Sequence, residues 1–310
     1  MKFKDVKTKQ CSCKHVHLKL CIGMKFYDKN IEVWIGSDSM ERLHRKERVA
    51  AILKVLSDNP NVIFSLGYFS EIFDSARSTL SEDITIVKKV VENLKCGVVE
   101  TLPGAAGGVK YVPGISREEE EEFISRLCDM IKTSDRIIPG GFLYMNDIIY
   151  SPEISSKIGI IMAQYFRDKN PDYVLTIETK GIPIAMMTAK ALNIPLVIIR
   201  SDNRVTEGST VSINYISGSS KRMRTMSLSK RSVKKGSRCI FIDDFMRAGG
   251  TANGVIELMK EFDCSVEGIG VLVESLPYNK RLVQNYVSLM NLESIDEEKG
   301  EVKIHPSMRK

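Results

Sequence analysis

The stretch "CIFIDDFMRAGGTANG", Cys239 to Gly254, constrains this chain more than any other. Four apolar residues run into two aspartates, and a Gly-Gly-Thr turn then opens a helical pattern. A buried strand, a glycine-rich loop and a helix in that order predict an open α/β sheet with its ligand beyond the carboxyl ends of the strands. Ala248, Gly249 and Gly250 let the backbone approach a phosphate closely, and the amides and positive dipole end of the helix face it. Thr251 adds a hydroxyl. Two carboxylates beside such a nest would repel phosphate, so Asp243 and Asp244 suit the vicinal hydroxyls of a ribose. The pair could also help hold a Mg²⁺ that bridges a pyrophosphate. The loop lacks the Gly-Lys-Ser/Thr ending of a Walker A motif.

The surrounding text supports that sheet. A helix through "EISSKIGIIMAQYFRDKN" leads to the strand "YVLTI", the loop "ETKGIP", the helix "IAMMTAKALN" and the strand "PLVIIR". "TANGVIELMKEF" and "VEGIGVLVES" add another helix and strand. Nearly continuous apolar strands alternating with helices argue for a mainly parallel, doubly wound sheet flanked by helices.

The first half differs. "MERLHRKERVAAILKVLSDNP" places Val49, Ile52, Leu53 and Leu56 on one helical face, and Asn59-Pro60 stops it. A short helix follows in "SLGYFSEIF". In "ARSTLSEDITIVKKVVENL", Leu80, Ile84, Val87 and Val91 repeat at helical spacing, with Thr79 and Glu82 spaced as a capping box. "GVVETLPGAAGGVKYVP" reads as a hairpin. Three helices and a hairpin predict a winged helix-turn-helix over residues 40–114, ahead of an α/β domain over 115–310. Ser116 and Glu119 form a second capping-box pair, and the acidic run behind them reads as a solvated face.

With 310 residues the chain has room for two domains. Residues 1–39 read as an atypical leader, either disordered or upstream of a natural start at Met40. Their "CSCKHVHLKLC" matches no zinc spacing, so no metal site is expected. The seven cysteines are read as reduced. No apolar run approaches the roughly 20 residues of a membrane helix, and no signal-peptide pattern opens the chain, so a cytoplasmic location is expected.

The loop "CIFIDDFMRAGGT" resembles the 5-phosphoribosyl-1-pyrophosphate (PRPP) motif of type I phosphoribosyltransferases. "TIETKGIPIA" resembles the pyrophosphate loop of their adenine and xanthine members, and "NYISGSSKRMRTMSLSK" lies where they carry a flexible loop. From Met40 to about Val287 the chain is similar to the purine operon repressor family of Gram-positive bacteria, through "LPGAAGGVKYVPG", "RIIPGG", "VTEGSTVSINYISGSS" and "IDDFMRAGGT". That resemblance implies a repressor of purine genes, released from operator DNA by PRPP and acting as a homodimer. It implies PRPP contacts from Thr179, Lys180 and Gly181 and from the run Asp243, Asp244, Phe245, Met246, Arg247, Ala248, Gly249, Gly250 and Thr251. Tyr215, Ser217, Lys221, Arg222 and Arg224 belong to the flexible loop.

The alternative is a purine salvage enzyme of the adenine or xanthine type. Against it, Arg247-Ala248 stand where the enzymes carry a small residue and threonine, no acid or base is legible at the reacting carbon, and a salvage enzyme needs no winged helix. No catalytic residue is therefore assigned, and His44 and His305 carry no catalytic spacing. The third helix is expected in the major groove, with Arg77, Ser78, Thr79 and Ser81 at base edges and Lys88 and Lys89 near phosphates. Arg42, Arg45, Lys46 and Arg48 crowd the first helix, and Lys110 sits on the wing. Between Arg200 and Arg238 ten Lys or Arg face only two acids, a charge that could bind DNA backbone as well as pyrophosphate. The apolar residues of "FLYMNDIIY" suit either a dimer interface or ordinary core.

Overall fold

The structure, a computed structural model, describes residues 23–25, 32–34, 43–104, 107–201, 208–216, 223–276 and 281–307. Within residues 1–39 only Gly23–Lys25 (β1) and Glu32–Trp34 (β2) are described, paired antiparallel. The rest of the leader, Arg42, Ser217, Lys221 and Arg222 lie outside the described residues. Among the described residues no helix is long and apolar enough to cross a membrane.

The first half is three helices and a wing. Helices α1 (Arg45–Asp58), α2 (Leu66–Phe73) and α3 (Arg77–Asn93) precede the antiparallel strands β3 (Gly97–Leu102) and β4 (Gly108–Pro113). The spacing-derived face of α3 is its buried face: Leu80, Ile84, Val87 and Val91 all enter the core. Phe64, Phe69 and Phe73 fill the space between the helices and the wing, and Phe64 bridges to Val109. Burying each such side chain contributes roughly 1.5–3 kcal/mol. The capping box at Thr79 does not form. α3 starts three residues earlier, with Ala76 as N-cap and no side-chain cap, and Glu82 turns instead to Arg45 on α1.

The second half opens with α4 (Arg117–Ile131), capped by Ser116, whose Oγ accepts from Glu119 N–H at 3.2 Å. Its acidic run is more than a solvated face. Glu120 is buried and accepts from Tyr165 Oη, and Glu119 pairs with Lys157. A small hairpin follows, β5 (Ile137–Ile138) and β6 (Phe142–Leu143), then the short α5 (Asn146–Ile149) and α6 (Pro152–Phe166). The sheet strands are β7 (Tyr173–Ile177), β8 (Leu196–Ile199), β11 (Arg238–Met246), β12 (Ser265–Ser275), β13 (Tyr286–Asp296) and β14 (Glu301–Pro306). Helix α7 (Ile182–Leu192) connects β7 to β8, and α8 (Gly250–Lys260) connects β11 to β12.

Their order is β14-β13-β12-β11-β7-β8, parallel except for the antiparallel edge strand β14. β13 and β14 lie beyond the elements read from the sequence. The basic segment after β8 folds into an antiparallel ribbon, β9 (Thr210–Ile216) with β10 (Met223–Ser229). Strand β11 runs through the middle of the sheet. Its Ile240 and Ile242 join a core built with α4, α6 and α7, while Cys239 and Phe241 join one built with α8 and β10. That period-two split between two covered faces explains why the strand reads as an unbroken apolar run. The apolar core of the first half is a third, separate cluster.

Candidate ligand site and DNA-facing surface

The two aspartates belong to a strand and not to a loop. β11 continues through Asp243, Asp244 and Phe245 to Met246, and α8 begins at Gly250, one residue ahead of the threonine. The strand continues because Asp243, Phe245 and Met246 still find parallel partners in Val271, Val273 and Glu274 of β12. Between the strand and α8, Gly249 adopts φ 80°, a left-handed conformation that favours glycine, and serves as the N-cap. Leu282 donates its N–H to Ala248 O at 3.0 Å, and Val283 presses on Gly249, so the loop is backed by a second segment. A nearly buried ion pair, Arg281 to Glu274 at 2.6 Å, fixes that segment.

A cavity of about 660 Å³ opens over this loop. All nine residues from Asp243 to Thr251 line it, with Lys180 from the loop after β7 and Arg224 from β10. Of the other expected contacts, Gly181 packs against Asp243 behind the wall and Thr179 is exposed beside it. Tyr215 packs against Gly254 of α8 and not into the cavity. The far wall is formed by residues the sequence reading missed: Gly141, Phe142 and Leu143 of the β5–β6 hairpin, and Glu293 and Ser294 of β13. A Pro-Gly-Gly turn between two apolar pairs was a hairpin signal for the first of these.

Arg247 neither points away from the site nor stands alone. Its guanidinium lies 5.6 Å from the centroid of the Phe142 ring and 5.9 Å from that of Phe245. Two cation–π contacts thus hold a positive charge on the cavity wall.

Burial drives the electrostatics. Asp243 is 8 % exposed, and loss of solvent, followed by the neighbouring Asp244 charge, pushes its carboxyl well above the usual aspartate range. Burial raises Asp244 as well, opposed by hydrogen bonds and by Lys180. Two crowded carboxylates facing a cavity are poised to accept hydroxyl protons or a cation. Beside them, Glu178 accepts from Ser201 N–H and Oγ and from Arg200. Burial alone would raise Glu178, but these donors hold it below the usual glutamate value. Among the described residues no group of three His, Cys, Asp or Glu is placed to hold a metal.

On the first half, α3 exposes Arg77, Ser78, Ser81, Thr85, Lys88 and Lys89. Ser78, Ser81, Thr85 and Lys88 follow one another at spacings of three and four, so they form one stripe. Thr79 is only partly exposed. Two expected contacts are already engaged inside the protein: Arg45 with Glu82 and Asp83, and Lys110 with Glu100 directly across the wing at 3.0 Å. Arg48 is buried, 2.5 Å from the fully buried Asp83. In "FLYMNDIIY", Leu143, Met145, Ile148 and Ile149 are core, whereas Phe142, Tyr144 and Tyr150 remain exposed.

Residues 44–113 match the family model "Bacterial purine repressor, N-terminal", and residues 145–304 match "Phosphoribosyl transferase domain". A protein of Bacillus subtilis called "Purine biosynthesis transcriptional repressor PurR" is 48 % identical over 85 % of this chain and 92 % of that protein. The chain belongs to the PurR family. A Lactococcus lactis relative called "Purine biosynthesis transcriptional activator PurR" is 41 % identical over 82 % of this chain and 94 % of its own length. An adenine phosphoribosyltransferase structure from Thermoanaerobacter pseudethanolicus covers 54 % of this chain and 98 % of its own, at 17 % identity and a TM-score of 0.47. In PurR-family terms, the helices and wing are the purine-repressor segment, and the sheet with its cavity is the phosphoribosyltransferase segment.

Proposed function

We propose that this chain is a transcriptional repressor of purine-biosynthesis genes that PRPP releases from operator DNA. The carrying observation is the union, in one PurR-family chain, of an exposed polar and basic stripe on α3 with a cavity lined by the whole Asp243-to-Thr251 loop. Asp243 and Asp244 bind the ribose hydroxyls, and the backbone of Ala248 to Thr251 cradles the 5-phosphate. Lys180, Arg224 and the stacked Arg247 supply positive charge to the remaining phosphates. Thr179 and Gly181 shape the pyrophosphate loop. A Mg²⁺ accompanying the pyrophosphate would meet the aspartate pair on the cavity wall.

On the DNA side Arg77, Ser78 and Ser81 face base edges, and Lys88 and Lys89 face phosphates. The boundary between the two parts lies near residue 114. The repressor acts as a homodimer, for which the exposed Phe142, Tyr144 and Tyr150 offer apolar surface. Ala248 gives up the hydroxyl that the enzymes offer phosphate, which favours a sensor over a transferase. An electrophoretic shift with a purine-operon control region, with and without PRPP, tests the reading beside an assay for nucleotide formation from adenine, guanine and xanthine. A PRPP-sensitive shift without turnover is expected. Turnover without a shift would favour the enzyme.

A further inference from the structure

One helix runs between the ligand loop and the DNA-reading half. The start of α7 is locked to the aspartates: a Cβ placed on its N-cap, Gly181, would stand 2.8 Å from Asp243 Oδ1 and 2.6 Å from Thr176 Oγ1. Movement at Asp243 therefore reaches α7 directly. The other end touches the winged helix. Asn61 Nδ2 donates to Ala191 O at 2.8 Å, one of the last carbonyls of α7 that no helical N–H can satisfy. Asn61 is itself fastened to the wing, since its backbone N–H donates to Tyr111 O on β4 at 2.8 Å. The helix between these ends is braced by α6. A Cβ on Gly159 would come within 2.5 Å of Met187 backbone, so α6 and α7 meet backbone to backbone and shift as a unit. α6 also grips the linker, where Gln164 accepts from Ile115 N–H and donates to Ile115 O, both at 3.1 Å.

We propose that α7 is the strut through which occupancy of the ligand site repositions the winged helix, with Asn61 as the positioning residue at its far end. The proposal rests on the reading of the chain as a PRPP-released repressor. At 11 residues the strut spans about 16 Å. Beneath Gly181 the packing leaves a polar group unspent: Thr176 Oγ1 is fully buried and has no hydrogen-bond partner among the described residues. Ligand binding at Asp243 displaces the start of α7, and the contact at Ala191 O passes that displacement to the loop between α1 and α2. A coupling of this kind changes the communication between two sites without changing either site.

The experiment uses the full chain and Asn61→Gly. Glycine keeps the left-handed backbone of Asn61, φ 63°, and removes only the side-chain donor. PRPP affinity is measured by calorimetry, and affinity for a purine-operon control region by fluorescence anisotropy, without PRPP and at saturating PRPP. Hydrogen exchange is followed in residues 59–64. The expected result is that each separate affinity stays within about twofold of wild type, while the ratio by which PRPP weakens DNA binding falls about tenfold. In the wild type PRPP alters exchange in 59–64, and in Asn61→Gly it does not. An unchanged release ratio in Asn61→Gly, as simple competition for one basic surface would give, overturns the strut. Should that variant unfold its winged helix, exchange in 59–64 of the wild type that ignores PRPP overturns it equally. A wild type whose DNA binding PRPP leaves untouched removes the repressor reading itself, a different failure.

Discussion

Two carboxylates side by side at the end of a buried strand are an uncomfortable arrangement until something binds them. Asp243→Ala with Asp244→Ala should keep operator binding within about twofold and abolish release by PRPP, read by anisotropy titration; normal release would remove both residues from the site. The pair also sets a pH dependence. Because the folded values are raised, the native state holds protons that the unfolded chain has given up. From the ordinary aspartate value near 3.9 up to the raised values, stability therefore falls as pH rises. Asp243→Asn should raise the melting temperature at pH 7, by about 2–4 °C for each kcal/mol relieved, and by much less at pH 4. Equal melting temperatures across that range would show that the pair carries no strain. That the run "IDDFMRAGGT" lines a ligand-sized cavity was legible from its glycines and paired acids. The extension of β11 through both acids was not, because it depends on partners in β12 that no local pattern names.

At the level of elements, the docking of α3 on α1 rests on a buried charge. Arg48→Ala would leave the fully buried Asp83 without its main partner, a loss of roughly 3–5 kcal/mol. Unfolding of the winged helix with intact PRPP binding is the expected outcome, measured by circular dichroism and calorimetry. Lys88→Ala and Lys89→Ala should each weaken binding to all DNA sequences alike and reduce the salt slope by about 1, whereas Ser81→Ala should alter base preference. The triple variant Lys221→Ala, Arg222→Ala, Arg224→Ala should likewise flatten the salt slope if the β9–β10 ribbon reaches the DNA backbone; an unchanged slope frees the ribbon of that role. Helical spacing found the buried stripe of α3 correctly. It could not tell that Arg45 and Lys110 already have acidic partners while Lys88 stands exposed, since partner choice is decided across elements. The strands β13 and β14 carried a signal, the alternation of Val302 and Ile304 with charged neighbours, but the sequence reading stopped at β12.

For the whole molecule, two-part organisation was visible in the text because the hydrophobic period changes from a helical one to alternating strands and helices. How the parts join was not, since it turns on a handful of side chains. The first half has its own apolar core, separate from the two cores that sandwich the sheet. What crosses between them includes the hydrogen bond from Asn61 Nδ2 to Ala191 O. Hydrogen bonds of this kind can be exchanged for water at small net cost, which is the usual condition for relative motion of domains. The consequence concerns what an opened joint exposes: a hydrogen bond such as this one leaves amide groups that water can satisfy, whereas a parted apolar contact would leave an adhesive face.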